Sequence, residues 1–236
     1  MLVGSSPELN RTQAYRQILG LLLSGEFDPN QSLSERSLAE AAGLGRMPVR
    51  EALKDLEREQ LITVVPGKGT FVRELTLEEV QEIYEVRYAV EGLGAYLAAQ
   101  RGPTTELRAF RGKTQDLLNA GTADLVQLQA IGTDFHDAMC RAARNRELVA
   151  IYGTLSRKIA LSMRLSRRHD PDRIRASAQE HLDILDAIEA GDPDDAQRRI
   201  WRHLSNGLQA RVQIFSKIRA VVPPAEVLKK GRGTSR

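Results

Sequence analysis

Cys140 is the only cysteine in this chain of 236 residues. A lone cysteine excludes an internal disulfide framework and suits a reducing compartment, and Cys140 itself reads as a small buried apolar residue. No stretch approaches the roughly 18 consecutive apolar residues that a membrane helix needs. The N-terminal MLVGSSPELN has neither a basic n-region nor an apolar h-region, so no signal peptide is expected and the expected location is the cytoplasm. Charge of one sign is also scarce. The formal net charge is only +3, and residues 1–76 hold slightly more acids than bases. Bulk electrostatics therefore do not announce a nucleic-acid ligand, and any such function must rest on where individual charges sit. Internal repeats are absent, and no strand pattern appears after residue 76.

What is present is helical periodicity with clear punctuation. Ala14, Ile18, Leu21 and Leu22 predict a helix over 11–24, ended by Gly25. After the polar loop GEFDPNQS, Ser34 is a good N-cap for a short helix that buries Leu38, Ala41 and Ala42. Gly43-Leu44-Gly45 makes a turn, and a third helix runs from Arg46 to about Gln60, with Pro48 in its first turn, where a missing N–H costs nothing. Leu61–Val65 is β-branched and apolar, Pro66-Gly67-Lys68-Gly69 is a turn, and Thr70–Val72 reads as the returning strand. These parts form a small first domain over 1–75. Thr76 and Glu79 then open a helix through a capping box. Further helices are expected near 105–119, 123–143, 146–168, 172–190 and 194–220, with Asp192 capping the last. The expectation is a mainly α chain whose second domain, 76–222, is an antiparallel all-helical bundle. The tail over 223–236 carries Lys229, Lys230, Arg232 and Arg236 among glycines and is expected to be disordered.

On the third helix Val49, Ala52, Leu53 and Leu56 share one face and Arg46, Arg50 and Lys54 another. An arginine fork can bond guanine O6 and N7 together or grip a phosphate, and the first turn of such a helix projects deepest into a major groove. Arg46 and Arg50 are thus base-reading candidates and Lys54 a phosphate contact. Arg36 opens the preceding helix, whose free amides also favour phosphate. A tip of glycines with Lys68 can approach a narrow groove because little side chain blocks it. From charge alone the same face serves equally well as a solvated surface, since Glu51, Asp55 and Glu57 are also present. The order of the parts favours DNA: helix, glycine turn, arginine-led helix, then an apolar hairpin.

SERSLAEAAGLGRMPVREALKDLEREQLITVVPGKGTFV resembles the winged helix-turn-helix of the GntR family of bacterial transcription regulators. The family pattern is close to S-E-x-x-L-A-x-x-x-G-[VL]-S-R-x-P-V-R-E-A-L-x-x-L-x-x-x-G-L followed by a glycine wing. Two positions depart from it: Gly45 stands where a capping serine or threonine is usual, and Gln60 where a glycine is common. The resemblance implies that Arg36, Arg46 and Arg50 contact operator DNA and that the wing tip near Gly67 enters the minor groove.

Three of the four histidines, His136, His181 and His203, fall on separate expected helices; His169 is the fourth. A lone helical histidine is usually a half-buried polar residue, but three on facing helices of a bundle can converge on a metal. EVRYAVEGLGAYLAA, FHDAMCRAARNREL, EHLDILDAIEAGDPDDA and RHL resemble the helical ligand-binding domain of the FadR-type (FCD) subgroup of GntR regulators. That resemblance implies a divalent metal, zinc or similar, held by an aspartate and three histidines, with His136, His181 and His203 as the histidines. Gly132 occupies the aspartate position, and Asp134 points about 160° away from His136 on an ideal helix. The expectation is a three-histidine site completed by water or by an effector carboxylate. The implied effector is a small carboxylate. Arg87 matches a subgroup arginine that could pair with it, while an ion pair with Glu91 four residues on is the competing role. Asn145 is expected to cap a helix.

The reading is a homodimeric, ligand-responsive regulator that binds double-stranded operator DNA, a repressor by analogy with the family, and not an enzyme. The alternative is a metal-dependent hydrolase with a DNA-binding appendage, since three histidines and an open position resemble catalytic zinc. Against it, the sequence has no HExxH arrangement, and no general base is positioned beside the histidines; Glu180 lies about 100° around the helix from His181. A non-specific architectural DNA protein is disfavoured by the near-neutral first domain.

Overall fold

The computed structural model of the chain describes residues 7–24, 27, 31–120, 125–164 and 170–221. The basic tail, residues 25–30 other than Phe27, and His169 lie outside the described residues. The architecture is mainly α, with a winged helix-turn-helix followed by a helical bundle, as the periodicity predicts.

Helix α1, Pro7–Ser24, begins four residues before the expected start and buries Ala14, Ile18 and Leu22 against α3, Arg46–Arg58. Helix α2, Glu35–Ala42, starts at Ser34, whose hydroxyl accepts the Ser37 N–H at 2.9 Å. It ends at Gly43, in the left-handed region at φ 63°, where the Leu44 N–H returns to the Ala39 carbonyl. Helix α3 buries Val49, Ala52, Leu53 and Leu56, the four residues that the spacing placed on one face. It closes in a Schellman turn: the Leu61 N–H bonds the Leu56 carbonyl, the Gln60 N–H bonds that of Glu57, and Leu61 packs beside Leu56 in the core. Gln60 takes the left-handed position, at φ 61°.

Strands β1, Ile62–Val65, and β2, Gly69–Val72, pair antiparallel with Ile62 opposite Val72 and Val65 opposite Gly69. The Lys68 N–H closes the tip on the Val65 carbonyl, with Pro66 and Gly67 (φ 73°) at the two central positions of a type II turn. Leu33 adds a β-bridge to Thr70, with its N–H 2.7 Å from the Thr70 carbonyl. Residue spacing gives no sign of this short third edge. A side chain at Gly69 would run into Ser32 beside this bridge.

The connection to the bundle is pinned at both ends. The Arg73 N–H bonds the Leu61 carbonyl, its guanidinium pairs with Glu79, and Leu75 is buried. Thr76 caps α4, Leu77–Arg101, through the expected capping box. Helix α4 is the spine of the bundle, packed on α6 (Leu125–Ala142), α7 (Arg146–Arg164), α8 (Pro171–Glu189) and α9 (Pro193–Val221), while α5 (Thr105–Asn119) lies against α6 and α8. Small residues set these distances. Gly94 meets the Cys140 sulfur, and Gly92 meets the indole of Trp201, whose Nε1 donates to the Tyr88 carbonyl at 2.8 Å. Cys140 is fully buried, and burial raises its thiol well above the usual value. Asn145 Oδ1 accepts the Leu148 N–H at 3.2 Å, and Asp192 accepts that of Asp195 at 2.9 Å, so both act as caps.

Candidate functional site

The outer face of α3 carries Arg46, Arg50 and Lys54, all exposed. Arg50 is engaged by Glu35 through a two-pronged ion pair, Nε to Oε1 at 3.0 Å and Nη2 to Oε2 at 2.9 Å. This contact lowers the Glu35 carboxyl below its ordinary value, chiefly through the hydrogen bonds from Arg50. Lys54 pairs with Glu51 at 2.8 Å and Arg36 with Glu40 at 2.9 Å. Exposed pairs of this kind contribute about 0–1 kcal/mol, so phosphates or base edges can displace them. Met47, in the first turn beside Arg46, is 64% exposed. Sequence reasoning did not single it out, although an apolar residue on a polar helix face was the available signal. Gly67 and Lys68 form the tip of the hairpin.

The second constellation lies inside the bundle. His136 on α6, His181 on α8 and His203 on α9 are all buried, and their ligating atoms lie within 4.8 Å of one another. The Nε2 of His181 is 3.2 Å from that of His136 and 3.3 Å from that of His203. Burial, reinforced by the neighbouring histidines, pushes His181 far below its usual value; the His203 ring falls to about 4, where burial outweighs the hydrogen bond to Glu180. Both imidazoles are thus neutral over the physiological range. The His181 ring stacks on Phe135, with centroids 4.7 Å apart.

Two carboxylates stand beside the rings. Glu180 Oε2 lies 2.7 Å from His203 Nδ1, and Glu91 Oε2 lies 2.6 Å from His136 Nδ1, the latter off the direction of a good hydrogen bond. Residue spacing gave no sign of either carboxylate beside these rings. Glu180 cannot reach His181 on its own helix but meets His203 on the next one, a relation that helix spacing does not contain. Both acids face Nδ1, on the side away from the converging Nε2 atoms, so neither is placed to take a proton from a nucleophile; the Glu180 hydrogen bond fixes the His203 tautomer. Arg173 and Asn206 hold Glu180, and Arg87 holds Glu91 at 2.6 Å. Burial alone would raise both acids; these partners bring each down to about 2.

This arrangement fits a cation. With protons on the Nδ1 atoms of His136 and His203, both Nε2 atoms present lone pairs to His181, which can donate to only one of them. A metal satisfies all three. At about 2.0–2.1 Å from a tetrahedral zinc, two nitrogens stand about 3.3 Å apart, the separation seen here from His181 to each neighbour. Gly132 faces His181 directly: a Cβ there would stand 2.9 Å from the ring Cε1. Asp134 is exposed, in keeping with its expected direction.

The histidines open on a cavity of about 110 Å³, lined by Tyr84, Arg87, Arg173 and Arg211 among others. Arg87 lies at this wall, but its guanidinium is already engaged by Glu91 and stacks over the Tyr84 ring at 4.7 Å. Its structural role is therefore plain, and a ligand would share it with Glu91. Arg211 donates to the Tyr84 hydroxyl at 2.8 Å and to the Ser162 carbonyl at 3.2 Å. Sequence reasoning passed over Arg173 and Arg211, since neither stands at a diagnostic spacing from a histidine. Among the described residues, no helix is long and apolar enough to cross a membrane.

Comparison with known proteins matches residues 10–72 to the model of bacterial regulatory proteins of the gntR family and residues 82–206 to the FCD domain. An "Uncharacterized HTH-type transcriptional regulator in unstable DNA locus" of Streptomyces ambofaciens is 31% identical, over 83% of this chain and 82% of that protein. A "Probable D-xylose utilization operon transcriptional repressor" of Paenarthrobacter nicotinovorans is 27% identical, over 92% of this chain and 97% of that protein. Among solved structures, E. coli McbR/YncC superposes with a TM-score of 0.76 at 21% identity, covering 86% of this chain and 97% of that one.

Proposed function

The chain belongs to the GntR family of bacterial regulatory proteins and carries an FCD domain, so it is a DNA-binding transcriptional regulator and not an enzyme; from that premise we propose that it is a cytoplasmic homodimeric repressor whose helical domain senses a small organic acid through a divalent metal. The observation that carries the sensing part is the convergence of His136, His181 and His203, each on a different helix, at the edge of an arginine-lined cavity. Neutral imidazoles favour zinc or a similar borderline ion. When bound, such an ion supplies a positive charge with open coordination positions for an anionic ligand. Gly132 leaves the site without the carboxylate expected there, so water or the effector's own carboxylate completes it. Arg87, Arg173 and Arg211 supply the cationic wall.

In the first domain, Arg46 and Arg50 read base edges, Arg36 and Lys54 hold phosphates, and Gly67 and Lys68 enter the adjacent minor groove. Met47 is placed to meet a thymine methyl. The domains divide near residue 75. Two copies would set two such faces on two half-sites, and exposed Val86, Leu93 and Trp201 on α4 and α9 offer apolar surface for the pairing. The relative named as a repressor supports the direction of control.

Two experiments test this. Metal-stripped protein is titrated with zinc and followed by thermal unfolding. At a hundredfold excess over Kd the stabilisation is about 2.7 kcal/mol, a rise of several degrees, and His181→Ala abolishes it. No bound metal by elemental analysis together with no shift sinks the metal reading. Selection from a random duplex pool then recovers a preferred sequence, and equal affinity for selected and random DNA sinks sequence-specific reading.

A further inference from the structure

The C-terminal end of α3 is gripped from the helical domain. Glu59, the last-turn cap of α3, accepts from Arg157 Nε at 2.5 Å and from the Tyr15 hydroxyl at 2.7 Å, both on the same Oε2. Next to it, Gln60 Oε1 accepts from Lys158 Nζ at 3.0 Å. Gln60 holds a left-handed conformation that favours glycine, and it spends its side chain on this contact. Arg157 and Lys158 are neighbours on α7, and Arg157 is braced by the Gly153 carbonyl at 2.6 Å. The same turns of α7 give Tyr152, Ser156 and Ile159 to the cavity wall. One helix thus touches the cavity on one side and the end of the reading helix on the other.

We propose that Arg157 and Lys158 are positioning residues for DNA recognition, clamping α3 through Glu59 and Gln60 to the helix that walls the cavity. The proposal rests on the reading that α3 contacts DNA. It assigns the clamp no contact with DNA: its effect is to fix the angle at which Arg46 and Arg50 meet the groove. Because α7 belongs to the cavity, an occupant that shifts α7 shifts α3 with it.

The test uses the full chain and the duplex that the wild type selects from a random pool, comparing selected with random DNA at one salt concentration. Arg157→Met removes a positive charge and Glu59→Gln removes a negative one, so general electrostatics moves their affinities in opposite directions. Loss of a clamp moves them together: each lowers the selected-to-random ratio by about tenfold, and the double variant loses no more than either single one. Arg157→Lys, which keeps a cation for Glu59, restores most of the ratio. A loss of folded protein would lower both affinities equally and leave the ratio intact. Zinc alone, as the probe of the cavity, changes the wild-type ratio and not that of Arg157→Met. Opposite changes that follow charge, additive losses, or an unchanged ratio overturn the clamp. A wild-type ratio indifferent to zinc, or an equal zinc response in both proteins, overturns its link to the cavity. If the wild type selects no sequence at all, the underlying DNA reading fails first, and that outcome is distinct from all the others.

Discussion

Arg87→Met removes the guanidinium that lies 2.6 Å from Glu91 inside α4, where Glu91 is 0% exposed. Taking away one partner of a buried pair costs about 3–5 kcal/mol because the other charge is left uncompensated. The expected loss is therefore at least about 3 kcal/mol. In urea the midpoint should fall with an unchanged slope. The deficit should also depend on pH. In the wild type burial raises Glu91, but Arg87 and His136 override it and hold the carboxyl at about 2. Its contribution is thus full above the unfolded value of about 4.5 and fades as pH falls toward 2. In the variant, burial opposed only by His136 lifts the folded value above the unfolded one. The penalty is then complete at neutral pH and is relieved as pH falls toward about 4.5. The gap between the two proteins is widest near pH 7 and narrows toward pH 5. Arg87→Met with Glu91→Leu, which removes both charges, should lose less than Arg87→Met alone. A deficit under about 1 kcal/mol at pH 7, or one that widens on acidification, would refute a buried pair that carries stability.

Acid should also destabilise the metal-free wild type through the histidines. His203 falls to about 4 in the fold, so the unfolded chain takes up a proton first. Stability is complete above about 6.5 and drops by roughly 3 kcal/mol between there and pH 4; a urea midpoint that is flat over that range contradicts the buried, neutral ring. Gly132→Ala places a methyl 2.9 Å from the His181 ring, which must tilt away from its neighbours. Zinc affinity measured by calorimetry should fall, and an unchanged value would mean that the ring has room to move. Arg50→Ala should cost about 1–3 kcal/mol and relax preference at one base position. Lys54→Ala should weaken all sequences alike and flatten the salt dependence; a base-selective loss on Lys54→Ala would reverse that assignment.

Local chemistry decides most of the fold. Ser34, Thr76 with Glu79, Asn145 and Asp192 satisfy helix-start amides within three residues of themselves, and so they could be read as caps from spacing alone. The buried stripe of α3 follows from the helical period, and the turn of the wing from Pro66 and Gly67. Gln60 could be flagged only as an oddity, because its partner Lys158 lies 98 positions away. The three histidines could be named from the sequence, but their convergence depends on how α6, α8 and α9 cross, which spacing along one helix cannot specify. The same holds for Glu180, which misses its neighbour His181 and serves His203, and for Arg211, which reaches Tyr84 across 127 positions. Periodicity and capping are short-range and follow from covalent geometry. The site, its carboxylate supports and the grip of α7 on α3 come from packing between helices, where only the folded chain sets the distances.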